Sequence, residues 1–157
     1  EFVTFVKQLQ TDILFISVDD ILRPHVLDVP ALGTINKHAA VLPGCRGLFP
    51  YFWALLYDVP AGVTFHEVTE RIDDGRYLVQ YWLPREERRL SVLAYYKKVF
   101  SMFPSMAVQA AKAMSEQEFT APCEKIQSSY FSLPSRADYV RFRRLGHVVA
   151  RLDDVLV

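Results

Sequence analysis

The sequence predicts an α/β domain built on a mixed sheet with flanking helices. Three observations carry this reading. The uninterrupted apolar run Ile13-Leu14-Phe15-Ile16 suits a strand covered on both faces, as in parallel sheets. A second strand at residues 34–38 follows a helical stretch, which is the order of a strand–helix–strand unit. Two further runs, at 62–68 and 77–83, lie on either side of Asp73-Asp74-Gly75 and read as a hairpin.

Each element has a local reason. Phe2, Phe5, Val6 and Leu9 recur at helical spacing, so residues 1–10 read as the tail of an amphipathic helix. A second helix is expected over about 20–28, capped by Asp19 or Asp20. Gly33 introduces the strand at 34–38. Pro43, Gly44, Gly47 and Pro50 mark residues 39–50 as an irregular loop, with a helix from Phe52 to Tyr57 beyond it. The stripe Val92, Leu93, Tyr96, Val99, Phe100, Phe103 predicts a helix over 87–103. Pro104 should kink or stop it, with a further helix over 105–114. Ser135 and Asp138 resemble a capping box, and Gly146 closes the helix they begin.

Composition narrows the function classes. With 157 residues, 51% of them hydrophobic, the chain can bury a core as one domain. Eighteen acidic and eighteen basic residues give zero net charge, so no global field attracts nucleic acid or anionic lipid. No apolar stretch is long enough for a membrane span. Two cysteines, Cys45 and Cys123, are too few for a disulfide framework and suit a reducing, cytoplasmic location. No His/Cys spacing reads as a metal site. The chain starts at Glu1 rather than Met, which reads as a piece of something longer.

One constellation carries chemistry. Asn36 and His38 lie two apart at the carboxyl end of the second strand, so alternation sends both to one face. Ligands of open parallel sheets sit at such strand ends. Asp73 and Asp74, in the hairpin turn, are placed to fold a carboxylate back over the pair. An amide, an imidazole and a carboxylate at one mouth can stabilise an oxyanion and move a proton. Taken alone, a strand-end Asn and His more often satisfy loop backbone than perform catalysis, so the spacing leaves both readings open.

The wording of four blocks adds to the spacing. Asn36-Lys-His38 leads through Leu42-Pro43 to Arg46-Gly47, then come Gly62-Val-Thr64 and Asp73-Asp-Gly75. In this order, over some forty residues, they resemble the 10-formyltetrahydrofolate-dependent formyltransferases. That family includes methionyl-tRNA, glycinamide ribonucleotide and sugar-amine formyltransferases. The resemblance implies the C-terminal half of a catalytic domain with a partial Rossmann-like formyltransferase fold, covering 1–115, with 116–157 an extension packed on it.

It also implies site residues. Asn36, His38 and Asp73 fall on the catalytic trio; Asp73 matches rather than Asp74 because one residue separates it from Gly75. Asn36 and His38 would stabilise the oxyanion, while Asp73 pairs with His38 and orders a water. The formyl donor would be 10-formyltetrahydrofolate, held by Val18, Asp19, Asp20, Ile21, Leu22 and by Val68, Thr69, Glu70, Arg71, Ile72. Two departures stand out. Lys37 replaces an apolar residue between Asn and His, and Gly44-Cys45 replaces a basic residue and an aromatic.

The implied reaction is formyl transfer to a primary amine of a small molecule, a sugar nucleotide being favoured over tRNA. A formyltetrahydrofolate hydrolase and a truncated, non-catalytic folate-binding fragment use the same residues. A sheet lacking the family's preceding strands would expose an edge for the missing N-terminal segment or a homo-oligomer partner to cover. Of the other candidates, Cys45 reads as an unreactive loop thiol and His66 as a structural or pocket-rim residue. Phe52 and Trp53 read as core, and Arg141, Arg143 and Arg144 as a solvated face.

Overall fold

The computed structural model describes residues 2–17 and 21–156. Its main sheet has four strands, β1 (Ile13–Ile16), β2 (Gly33–His38), β4 (Gly62–Glu67) and β5 (Tyr77–Trp82), in spatial order β1-β2-β4-β5. The remaining pair is β3 (Arg46–Gly47) with β6 (Tyr130–Phe131). β1 runs parallel to β2, while β4 lies antiparallel to both β2 and β5. The mixed sheet with flanking helices is therefore present as expected.

The helices are α1 (Phe2–Gln8), α2 (Pro24–Leu27), α3 (Pro50–Leu56), α4 (Val92–Glu116) and α5 (Arg136–Arg144). α4 lies along β2, β4 and β5 and presents buried Val92, Tyr95, Val99, Met106, Ala110 and Met114. Ile35, Val63 and Phe65 are buried in the same apolar cluster. Tyr51 of α3 stacks on Tyr95 with ring centroids 3.6 Å apart, and Phe52 stacks on Phe142 of α5 at 4.2 Å. The expectation that Phe52 and Trp53 are core residues agrees with their burial.

β1 pairs in parallel with β2 and is half-buried among the described residues, with Phe15 46% exposed. Three local readings are corrected. α2 is one turn and begins at Pro24, because proline fits the first turn of a helix and not its interior. Asp19 and Asp20, the expected caps, lie outside the described residues. α4 runs unbroken through Pro104. The buried face continues from Val99 to Met106, so packing outweighs the one backbone hydrogen bond a proline removes. Residues 85–89 form a separate 3-10 turn.

The loop after β2 is also more regular than expected, since Arg46–Gly47 pair in parallel with Tyr130–Phe131. At the C-terminal end the capping box of α5 forms as predicted: Asp138 N–H donates to Ser135 Oγ at 3.3 Å and Ser135 N–H to Asp138 Oδ2 at 2.8 Å. Gly146 follows at φ 84. Beyond it, the carbonyls of Val148 and Val149 accept the N–H groups of Val92 and Leu93 at 3.2 and 2.9 Å, satisfying donors that the start of α4 leaves open.

Candidate active site

β2 brings Asn36 and His38 to one face of the sheet, and register places Asn36 opposite His66 and His38 opposite Thr64 on β4. The alternate residue, Lys37, turns to the other face, where its Nζ donates to Ser17 Oγ at 2.8 Å and lies over the Phe103 ring at 4.9 Å. The ammonium is thus hydrogen-bonded and cushioned by an aromatic face, which is how a charge is carried in an otherwise apolar layer.

The loop leaving β2 folds back over the strand end. Thr64 Oγ1 donates to Ala40 O at 2.8 Å and accepts from Leu42 N–H at 3.1 Å. Gln80 on β5 reaches Leu42 O at 2.9 Å. The Gly62-Val63-Thr64 block therefore serves the loop: a side chain at Gly62 would place its Cβ 1.9 Å from Tyr81 O, and the hydroxyl two residues on ties the loop down.

Asp73 enters from the β4–β5 turn. It is 9% exposed, at φ 50, and stands between two imidazoles. Its Oδ2 lies 3.5 Å from His38 Nδ1 and its Oδ1 lies 3.5 Å from His66 Nε2. Gly47 N–H donates to Oδ2 at 2.8 Å. Asp74 instead turns outward to Arg46 at 3.0 Å and Arg71 at 3.6 Å. His66, expected to be a rim or structural residue, is 2% exposed and borders the carboxylate directly. The signal was available: its position on β4 puts it on the same face as the residue paired with His38.

The ring nitrogens are not equivalent. His38 Nε2 lies 2.8 Å from Cys45 O and His66 Nδ1 lies 2.8 Å from Glu67 O. A carbonyl only accepts, so both of these nitrogens carry the proton. Neutral His38 then presents Nδ1 as a lone pair to Asp73. A proton arriving there turns the 3.5 Å approach into a charge-assisted bond. The tautomer of His38 is thus fixed by the backbone carbonyl of Cys45.

Burial pushes the His38 pKa down; Asp73 and the Cys45 carbonyl oppose this, His66 reinforces it, and the net direction is downward. Burial pushes the Asp73 carboxyl up, but the His66 and His38 rings and the Gly47 N–H outweigh it and leave Asp73 below the usual carboxylate range. Burial pushes the Cys45 thiol up to about 12. That agrees with the reading of an unreactive thiol, and the neighbouring Arg46 is engaged with Asp74.

These groups open onto a cleft of about 370 Å³. Asn36, His38, His66 and Asp73 form its floor, with Ile21, Leu22, Val68, Thr69 and Ile72 on its walls. Glu70 and Arg71 do not line it: they occupy the exposed outside of the turn. Val18, Asp19 and Asp20 fall outside the described residues. Leu48, Phe49, Tyr96, Phe100 and Tyr130 also border the cleft. Among the described residues, no cluster of His, Cys, Asp and Glu could hold a metal ion.

Comparison with known proteins adds the family. The profile described as formyl transferase matches residues 1–110. The chain is 30% identical over 133 residues to the bifunctional polymyxin resistance protein ArnA of Wigglesworthia glossinidia brevipalpis, covering 83% of this chain and 20% of that protein. It is 29% identical over 142 residues to the methionyl-tRNA formyltransferase of a Synechococcus strain, covering 88% and 44%. The chain thus spans less than half the length of these curated relatives. Among solved structures, the formyltransferase PseJ from Anoxybacillus kamchatkensis superposes with a TM-score of 0.65 at 23% identity, over 83% of this chain and 68% of that one. PseJ was crystallised with UDP-4,6-dideoxy-4-formamido-L-AltNAc and tetrahydrofolate.

Proposed function

The chain belongs to the formyl transferase family, and we propose on that premise that its cleft transfers a formyl group from 10-formyltetrahydrofolate to a primary amine of a small molecule. The observation that carries this reading is the buried His38–Asp73–His66 row facing a cleft whose floor includes Asn36. The apolar walls Ile21, Leu22 and Ile72 and the backbone at Val68 and Thr69 suit a flat, hydrogen-bonding ring system. Folate, when bound, supplies the formyl carbon as the electrophile.

The chain's own residues divide the remaining work. Asn36 directs its amide into the cleft as a donor for the negative charge that develops on the carbonyl oxygen. His38, neutral and with Nε2–H held by Cys45, takes the amine's proton at Nδ1, directly or through a water. Asp73 stabilises the imidazolium so formed, which returns the proton to the donor nitrogen as the bond between that nitrogen and the formyl carbon breaks. The low position of the His38 pKa keeps this base unprotonated at neutral pH.

A sugar nucleotide is the favoured acceptor. PseJ, which shares the fold, carries one, and the balanced charge of this chain gives no field for tRNA. Among the described residues, no helix is long and apolar enough to cross a membrane. Both cysteines are unpaired, consistent with action in the cytoplasm.

The test is product analysis with the full-length protein, 10-formyltetrahydrofolate and a panel of amino sugars, nucleotide-linked and free. Amine-dependent formamide formation is expected. Formate release without an amine would replace the transferase by a hydrolase, and folate binding without turnover would reduce the chain to a binding module.

A further inference from the structure

We propose that Ser129 and the short strand β6 are a positioning element of the reaction, clamping the loop that sets the tautomer of His38 and seats Asp73. The inference rests on the reading that these two residues react. Cys45 carries the carbonyl that accepts the Nε2–H of His38, and Gly47 carries the N–H that binds Asp73. Both supports lie on one stretch of loop, and that stretch is held from outside itself.

The holding contacts come from far along the chain. Cys45 N–H donates to Ser129 Oγ at 2.9 Å, a partner 84 residues away. Arg46 N–H donates to Ser129 O at 2.9 Å, Leu48 N–H to Phe131 O at 2.9 Å, and Ser129 N–H to Pro43 O at 3.2 Å. Trp53 Nε1–H then bridges Leu48 O at 3.1 Å and Ser132 O at 3.0 Å. The strand therefore touches the loop on both sides of Cys45 and again beyond Gly47.

Backbone geometry supplies an independent reason that a clamp is needed. Cys45 has φ 53, a left-handed conformation that a residue with a Cβ keeps only when its surroundings impose it. The approach is also close. A Cβ at Gly47 would lie 2.2 Å from Phe131 O and 2.9 Å from the Tyr130 ring, and one at Gly44 would lie 3.0 Å from Ile126.

The chemical consequence follows from the two nitrogens of one ring. While the Cys45 carbonyl holds Nε2–H, the Nδ1 lone pair of His38 faces Asp73. If that carbonyl swings away, the proton moves to Nδ1, where it gains a charge-assisted bond to Asp73. The lone pair then sits on Nε2 and the base no longer faces the carboxylate. Ser129 acts through Cys45 and touches neither reactant, so its role is positional.

Ser129→Ala and Ser129→Thr in the full-length protein test this. Amide exchange at Cys45, Arg46 and Leu48 needs no activity and should be slow in the unmutated protein. Ser129→Ala should speed exchange at Cys45 about tenfold, the loss of one hydrogen bond, and Ser129→Thr should restore it. In turnover, Ser129→Ala should lower kcat about tenfold with KM for the amine within about twofold, and should shift the acid limb of kcat/KM. Ser129→Thr should recover both. Fast exchange in the unmutated protein, or a released Cys45 amide with kcat and pH profile unchanged, would overturn the proposal. Absence of product from the unmutated protein would overturn the functional reading and not the clamp, which the exchange data decide alone.

Discussion

The loop after β2 and the turn after β4 meet across the gap between His38 and Asp73, and they are held in place in opposite ways. Ala39 to Leu42, Gly44 and Cys45 are buried, and the loop is stitched to Thr64, Gln80 and the distant Ser129. The turn is open to solvent at Glu70, Arg71, Ile72, Asp74 and Arg76, and only Asp73 and Gly75 are buried. Its anchors are few: Gly75 packs so closely that a Cβ would lie 1.8 Å from Glu67 O, and the Gly47 N–H of the facing loop grips Asp73. The difference assigns the jobs. The stitched loop presents fixed backbone dipoles to His38, while the open turn inserts one charged side chain into a site built by others.

The largest effect should come from removing the base. His38→Ala should lower turnover by about 10²–10⁴-fold with far-UV circular dichroism unchanged; retained activity would remove His38 from the mechanism. Next, Gly47→Ala should strike loop, turn and strand together, because its Cβ meets the Phe131 carbonyl and its φ is +91. A loss of about 2–4 kcal/mol is expected in the denaturant midpoint. Gly146→Ala is the control: its φ is +84 but nothing lies within 4 Å, so only the backbone cost of about 1–2 kcal/mol should appear.

pH should separate the two ionisable partners by direction. Activity needs neutral His38, and its pKa is lowered, so kcat/KM should fall only below about pH 6.5, the ordinary histidine value. Stability follows the same sign. Below about pH 6.5 the unfolded chain binds a proton on His38 that the folded chain does not, and stability falls with pH. Asp73, lowered in the fold, contributes stability above about pH 3.9 that is lost as pH drops through its folded value. A denaturation series from pH 8 to pH 3 checks both.

The smallest effect should mark the boundary of the site. Asp74→Asn breaks exposed pairs with Arg46 and Arg71, for which about 0.2–1 kcal/mol is expected, with kcat/KM within about twofold. Asp73→Asn, one residue away, should lose about 10²-fold, because an amide cannot stabilise an imidazolium. Equal effects from the two would erase the distinction between turn tip and buried carboxylate.

Much of this site was legible because its signals are local. Asn36 and His38 share a face through strand alternation alone, while the choice of Asp73 over Asp74 came from the resemblance to the formyltransferases, whose Asp stands one residue before a Gly. The capping box of α5 needed only four residues. What stayed hidden depends on contacts between distant residues. Nothing near Ser129 announces that it holds Cys45, and nothing near Pro104 reveals a helix that buries the same face on both sides. The tautomer of His38 depends on a carbonyl whose position is set by a left-handed residue, which sequence does not display.

The central claim is that His38 waits as a neutral base with its proton on Nε2. A ¹⁵N spectrum of selectively labelled histidine, with His38 identified by its loss in His38→Ala and followed from pH 8 to pH 5, tests it directly. The account predicts the Nε2–H tautomer at pH 8, persisting to a pH below about 6.5. An Nδ1–H tautomer, or an imidazolium already present at pH 8, would contradict it.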